Sequence, residues 1–203
     1  MTDVEPAAER EAALETTRRN VARWLVGLSG AAAIASVGVN ALTGIPQPVI
    51  TGAGKLYVNG THLVDEKGTR LTVDSLPAGA GKEATVFPEQ QGGGALTTKD
   101  ATTLLLRFSA SDFASPTHLD WTPQGYVAYS KVCTHEGCLV SDRSGSNLLC
   151  PCHDSVFDPL HGATVASGPA PRPLPQLPIG VTSDSAHLII ATGGFDGPIG
   201  PQS

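Results

Sequence analysis

Cys133-Thr134-His135-Glu136-Gly137-Cys138 and Cys150-Pro151-Cys152-His153 contain all 4 cysteines of the chain. Each box sets one Cys and one His at close spacing, C-x-H in the first and C-x-x-H in the second, and each carries one further Cys. Two loops that both bring a thiolate and an imidazole make a four-ligand metal site. Zinc accepts two Cys and two His, but its usual spacing pairs Cys with Cys and His with His. A mixed pair on each loop suits a two-iron cluster better, with Cys on one iron and His on the other.

Outward from the boxes, the chain reads as strands. Tyr126 to Val132 is rich in branched and aromatic residues and runs straight into Cys133. Asp142-Arg143-Ser144-Gly145-Ser146-Asn147 reads as a hairpin turn, and Leu148-Leu149 as a short strand entering Cys150. The boxes are therefore expected on neighbouring loops of a small subdomain, about residues 128–172. Upstream, Lys55-Leu56-Tyr57-Val58-Asn59-Gly60 is a short β run ending in an Asn-Gly turn. Arg70-Leu71-Thr72-Val73-Asp74 alternates apolar and polar residues, and Thr102 to Phe108 is a further strand. His187-Leu188-Ile189-Ile190-Ala191 is the last. Without a helical period between them, short strands at this spacing predict an antiparallel sandwich or barrel. Gln90-Gln91-Gly92-Gly93-Gly94 is a surface loop.

Residues 133–155 resemble the Rieske iron–sulfur proteins, whose pattern C-x-H-x-G-C followed by C-x-C-H-x-S is completed here by His153-Asp154-Ser155. The resemblance implies one [2Fe-2S] cluster, with Cys133 and Cys150 on the shielded iron and His135 and His153 on the exposed iron. It also implies a disulfide between Cys138 and Cys152 that joins the loops. Gly168-Pro169-Ala170-Pro171 resembles the proline loop that covers the cluster in quinol-oxidising members, and prolines at 169, 171, 173 and 175 stiffen it. Ser155 matches the family's serine that donates to a bridging sulfide. Where high-potential members carry a tyrosine that reaches a ligand sulfur, this chain has Phe157, which predicts a lower potential.

Two neutral imidazoles in place of two thiolates remove negative charge, so reduction becomes easier. Each ligand imidazole keeps one ring nitrogen free, and its proton is more acidic beside the oxidised cluster. In the resembled family a ligand His takes one electron and one proton from quinol, and the resemblance implies that role for His135 or His153. Glu136 departs from the family pattern. The position is often leucine in quinol-oxidising members, and a carboxylate is costly in an apolar docking pocket.

The implied architecture is mainly β, a Rieske-type antiparallel sandwich or barrel over residues 55–203, preceded by one N-terminal transmembrane helix. Residues 1–20 are a polar tail on the cytoplasmic side. Arg18-Arg19 ahead of the mildly apolar stretch Trp24 to Ile45 looks like a twin-arginine export signal, here retained as an anchor over residues 21–45. Arg10, Arg18, Arg19 and Arg23 precede it, and only Lys55 follows closely, so the head is expected outside a prokaryotic plasma membrane. Thr43-Gly44-Ile45-Pro46-Gln47-Pro48 ends the helix, and residues 46–54 form a flexible tether.

The 203 residues carry a net charge of −6 and no basic stripe, which argues against nucleic acid as a partner. A hydrophobic content of 40% supports a core, and 23 glycines with 16 prolines favour a turn-rich β domain. A disulfide beside a redox centre points to an oxidising compartment. His62, His118, His161 and His187 fall at no ligand spacing and are surface or turn residues, while Asp154 and Asp158 are turn residues beside the second box.

The expected function is the membrane-anchored Rieske subunit of a cytochrome bc-type quinol oxidoreductase. It would take electrons from quinol and pass them to a c-type cytochrome, with cytochrome b as a further partner. The rivals are the small Rieske subunit of a molybdenum oxidase such as arsenite oxidase, a Rieske ferredoxin-type carrier, and a zinc module. The extra pair Cys138 and Cys152 argues against the ferredoxin type.

Overall fold

In the computed structural model the described residues are 56–79 and 81–202. The polar tail, the twin-arginine-like anchor and the tether fall outside them. Among the described residues no helix is long and apolar enough to cross a membrane.

Among the described residues eleven strands follow in order. They are β1 (Thr61–Val64), β2 (Lys82–Pro88), β3 (Thr103–Arg107), β4 (Tyr126–Ser130), β5 (Asp142–Ser144), β6 (Asn147–Cys150), β7 (Ser155–Asp158), β8 (Thr164–Ser167), β9 (Gln176–Leu177), β10 (Ile179–Val181) and β11 (Ile189–Ala191). Every pairing is antiparallel. Seven strands form one sheet in the order β10-β11-β1-β2-β3-β4-β9, and β5-β6-β7-β8 form the second. The end strands of the large sheet, β9 and β10, are separated in the chain by Pro178 alone. One continuous segment, Gln176 to Val181, therefore pairs with β4 at its start and with β11 at its end, which curls the sheet into a barrel.

β3 carries the unbroken apolar run Leu104 to Leu106, and β4 the run Tyr126 to Tyr129, because both faces are covered. Leu105, Tyr126 and Ala128 point into the barrel with Tyr57, Leu63, Val86, Leu177, Ile179 and Ile189. Their neighbours Leu104, Leu106, Val127 and Tyr129 point outward and pack with Leu148, Phe157, Cys133 and Cys150 of the small sheet and its loops. The small sheet is thus seated on the outer face of β3 and β4. The 3-10 turns at 110–112, 119–121 and 123–125 connect these two strands. Thr117 of that connection donates to the Leu160 carbonyl at 2.8 Å and accepts from the Gly162 N–H at 2.7 Å, which ties it to the β7–β8 turn.

Three expected strands differ. The run ending at Gly60 makes no strand among its described residues. Tyr57 is buried instead, its hydroxyl 2.9 Å from Thr103 Oγ1, and the Asn59-Gly60 turn (Gly60 φ 88) delivers the chain to β1. Residues 70–74 make only isolated bridges, Arg70 to Val64 and Thr72 to Leu188. Ser75 Oγ accepts the Thr72 N–H at 2.9 Å and turns the chain away, a side chain competing with a ladder. His187 sits at φ 46 in a turn, so the last strand begins at Ile189.

Candidate functional site

Loop 1 grows out of β4. Val140 N–H bonds the Lys131 carbonyl at 2.8 Å and Val132 bridges Leu139, so the chain leaves and returns as a narrow hairpin. Inside it Cys133 N–H bonds Cys138 O at 2.8 Å and Gly137 N–H bonds Cys133 O at 3.0 Å. Gly137 turns at φ 77, and a Cβ on it would lie 3.2 Å from Lys99 Nζ and from Pro201 Cδ. Loop 2 is the turn between β6 and β7, where Cys150 pairs with Ser155 and Asp154 N–H bonds Cys150 O at 3.1 Å. Asp154 takes the left-handed position at φ 57, a conformation short polar residues tolerate. A disulfide links Cys138 of loop 1 to Cys152 of loop 2.

The remaining box residues face one another. Cys133 and Cys150 are free thiols at 0% and 1% exposure, in contact with each other, and the Ser155 hydroxyl is in hydrogen-bonding reach of the Cys133 sulfur. Burial pushes the Cys133 thiol above its ordinary range. The His135 and His153 rings stand edge to face with centroids 4.8 Å apart. His135 Nδ1 is buried without a hydrogen-bond partner. Buried polar atoms are normally paired, and buried thiolates need a cation to offset the loss of solvation. An orphaned imidazole nitrogen beside two buried free thiols is a donor set that a metal centre completes. The sulfur atoms of Cys138, Cys150 and Cys152 also lie within 4.8 Å of one another, but two of them are bonded together and cannot act as thiolate ligands.

The proline segment crosses loop 2 at close range. Gly168 has φ 90, and a Cβ on it would fall 2.5 Å from Ser155 Cα and 2.7 Å from Asp154 O, so only glycine fits that crossing. Ala170 N–H then donates to Ser155 Oγ at 3.1 Å. The Thr134 hydroxyl donates to Arg172 O at 2.6 Å, which anchors the same segment to loop 1. Pro169 and Pro171 are exposed and Ala170 is buried.

Phe157 is fully buried, opposite Leu148 in the small sheet, in the apolar cluster that includes Cys133 and Cys150. Glu136 is 62% exposed, with Oε2 3.7 Å from Nε2 of His153, itself 45% exposed. Three of the four other histidines are engaged elsewhere. His62 bonds Glu89 at 2.9 Å, His161 bonds Asp158 at 2.8 Å, and His118 stacks on Trp121 with centroids 4.1 Å apart. Thr134, Lys99 and Pro201 reach the loops without any local sequence signal.

Residues 103–178 match the family model of the Rieske [2Fe-2S] domain. A relative from Haloferax mediterranei, named as the Rieske subunit of a respiratory nitrate reductase, is 41% identical over 91% of this chain and 80% of its own length. The cytochrome bc1 complex Rieske iron–sulfur subunit of Streptomyces coelicolor is 35% identical over 87% of this chain and 49% of its own. That of Streptomyces lividans is 44% identical over 50% of this chain and 59% of its own. The soluble domain of Rieske protein II from Sulfolobus acidocaldarius aligns at a TM-score of 0.40 with 27% identity, covering 54% of this chain and 69% of that one.

Proposed function

The chain belongs to the Rieske iron–sulfur family, and from that premise we propose that it is the membrane-anchored electron-transfer subunit of a cytochrome bc-type quinol oxidoreductase. Its cofactor is one [2Fe-2S] cluster. When bound, the cluster supplies reversible storage of one electron. We assign Cys133, His135, Cys150 and His153 as its ligands. The observation that carries this assignment is the orphaned His135 Nδ1 beside the two free buried thiols.

The chain's own residues then have separable tasks. Cys133 and Cys150, shut in by the outer face of β3 and β4, hold the shielded side dry. The two imidazoles form the solvent side, and their outer nitrogens are the atoms at which a quinol hydroxyl would bond and a proton would be held. Ser155 and the segment Gly168-Pro169-Ala170-Pro171 form the wall over loop 2, with the Cys138–Cys152 disulfide locking the loops in register. In the full reading, residues 1–20 are cytoplasmic, 21–45 span the plasma membrane of a prokaryote, and 46–54 tether the head on the outer side. A cytochrome b and a c-type cytochrome are the partners.

A second reading is favoured by the coverage of the Haloferax mediterranei relative: the same electron-transfer subunit attached to a respiratory reductase. Purifying the tagged full-length chain from detergent-solubilised membranes separates the two. Haem b and haem c spectra in the eluate, with quinol-dependent reduction of the haem c, are the expected result. A eluate with reductase activity and no haem b would replace the first reading by the second.

A further inference from the structure

We propose that Glu136 makes the histidine edge of the site a docking face for a cationic redox partner, one that presents a positively charged patch around its own electron-carrying group. The inference rests on the cluster reading and deepens it by naming the partner's chemistry. Glu136 lies at the exposed end of loop 1, its carboxylate 3.7 Å from the outer nitrogen of His153, and among the described residues that imidazole is its one ion-pair partner. Asp154, also exposed, follows His153 on loop 2. Residues 132–171, which carry both loops and the small sheet, contain no Lys or Arg other than Arg143.

Of the flanking cations, Lys131 and Arg143 are engaged with side chains of β2. Lys131 donates to Thr85 Oγ1 at 2.7 Å, Arg143 pairs with Glu83 at 3.1 Å, and Arg172 donates to the Gly200 carbonyl. Lys99 is brought against loop 1, beside Gly137 and Pro201. Two exposed carboxylates, Glu136 beside the imidazole of His153 and Asp154 next to it in the chain, are thus set against the one lysine brought to loop 1. A partner with an apolar pocket would have to strip water from Glu136 without compensation. A partner with a positive patch gains attraction over the distance at which docking is decided, about 10 Å at 0.1 M salt.

The test uses the full-length protein with its cluster reduced. It is mixed with two one-electron oxidants of opposite charge, tris(phenanthroline)cobalt(III) and hexacyanoferrate(III). Each takes one electron from the reduced cluster, and no bond forms or breaks. At low ionic strength Glu136→Gln is expected to slow the cobalt reaction and speed the hexacyanoferrate reaction, each by about five-fold, with the differences closing as salt is raised. Asp154→Asn, which the left-handed position tolerates, is expected to move both rates the same ways and serves if the first variant loses its cluster. A change of reduction potential alone would move both oxidants in one direction, so rates that shift together, or stay put, overturn the proposal. A parent protein without a reduced iron–sulfur EPR signal would instead overturn the cluster reading on which it stands.

Discussion

Ser155 stands where two loops cross. Its oxygen accepts the Ala170 N–H at 3.1 Å, which leaves its own proton free to point at sulfur, and the Cys133 sulfur is in reach. A hydrogen bond to sulfur spreads the charge gained on reduction, so it favours the reduced state. Ser155→Ala is therefore expected to lower the reduction potential while the cluster's EPR signal persists. It should also destabilise the head by about 1–2 kcal/mol, because Ala170 N–H is left without its acceptor. Phe157→Tyr tests the same physics with the opposite sign, placing a hydroxyl on a fully buried ring in the apolar cluster with Cys133 and Cys150. A redox titration followed by EPR should show the potential rising; an unmoved value would remove Phe157 from the tuning positions.

At the scale of elements, the site is a meeting of three loops held by two kinds of tie. One is covalent, the Cys138–Cys152 link across a sequence separation of 14. Closing a loop of that size restrains the unfolded chain by about 3 kcal/mol. Cys138→Ser with Cys152→Ser should accordingly lower the temperature at which the visible absorption of the cluster bleaches, with far-ultraviolet circular dichroism still reporting the barrel. Bleaching at the parent's temperature would show that the hydrogen bonds carry the loops by themselves. The second tie is the set of long-range hydrogen bonds, such as Thr134 to Arg172 across 38 residues. These were illegible in the sequence, because a contact at that separation leaves no local pattern. The box spacing was legible because both partners of each pair lie within one turn. β3 and β4 were legible because burial on both faces writes an unbroken apolar run. β2, which starts at exposed Lys82 and Glu83, and β9 with β10, set among Pro175 and Pro178, carry neither an alternation nor a run, and their strand character comes from their partners.

For the whole molecule, the last described residues belong to the site's support. Gly200 accepts from Arg172 and lies against Val132, and Pro201 lies against Gly137. Removing residues 197–203 should leave the barrel folded and hasten loss of the cluster on incubation in air, measured as the decay of its visible absorption. A decay equal to the parent's would show that loop 1 needs no backing from this segment. The barrel itself has a different relation to the site. β4 and β9 are neighbours, with Ser130 N–H bonded to the Pro175 carbonyl at 3.0 Å, yet the loops, the small sheet and the proline segment all lie between them in the chain. The excursion departs and returns at one rung, so it is a cassette plugged into a complete scaffold. Cut there and bridged by a tight turn, the scaffold would keep its ladder. What it would lack is cover for Leu104, Leu106, Val127 and Tyr129, the contacts by which the cassette is held in its socket.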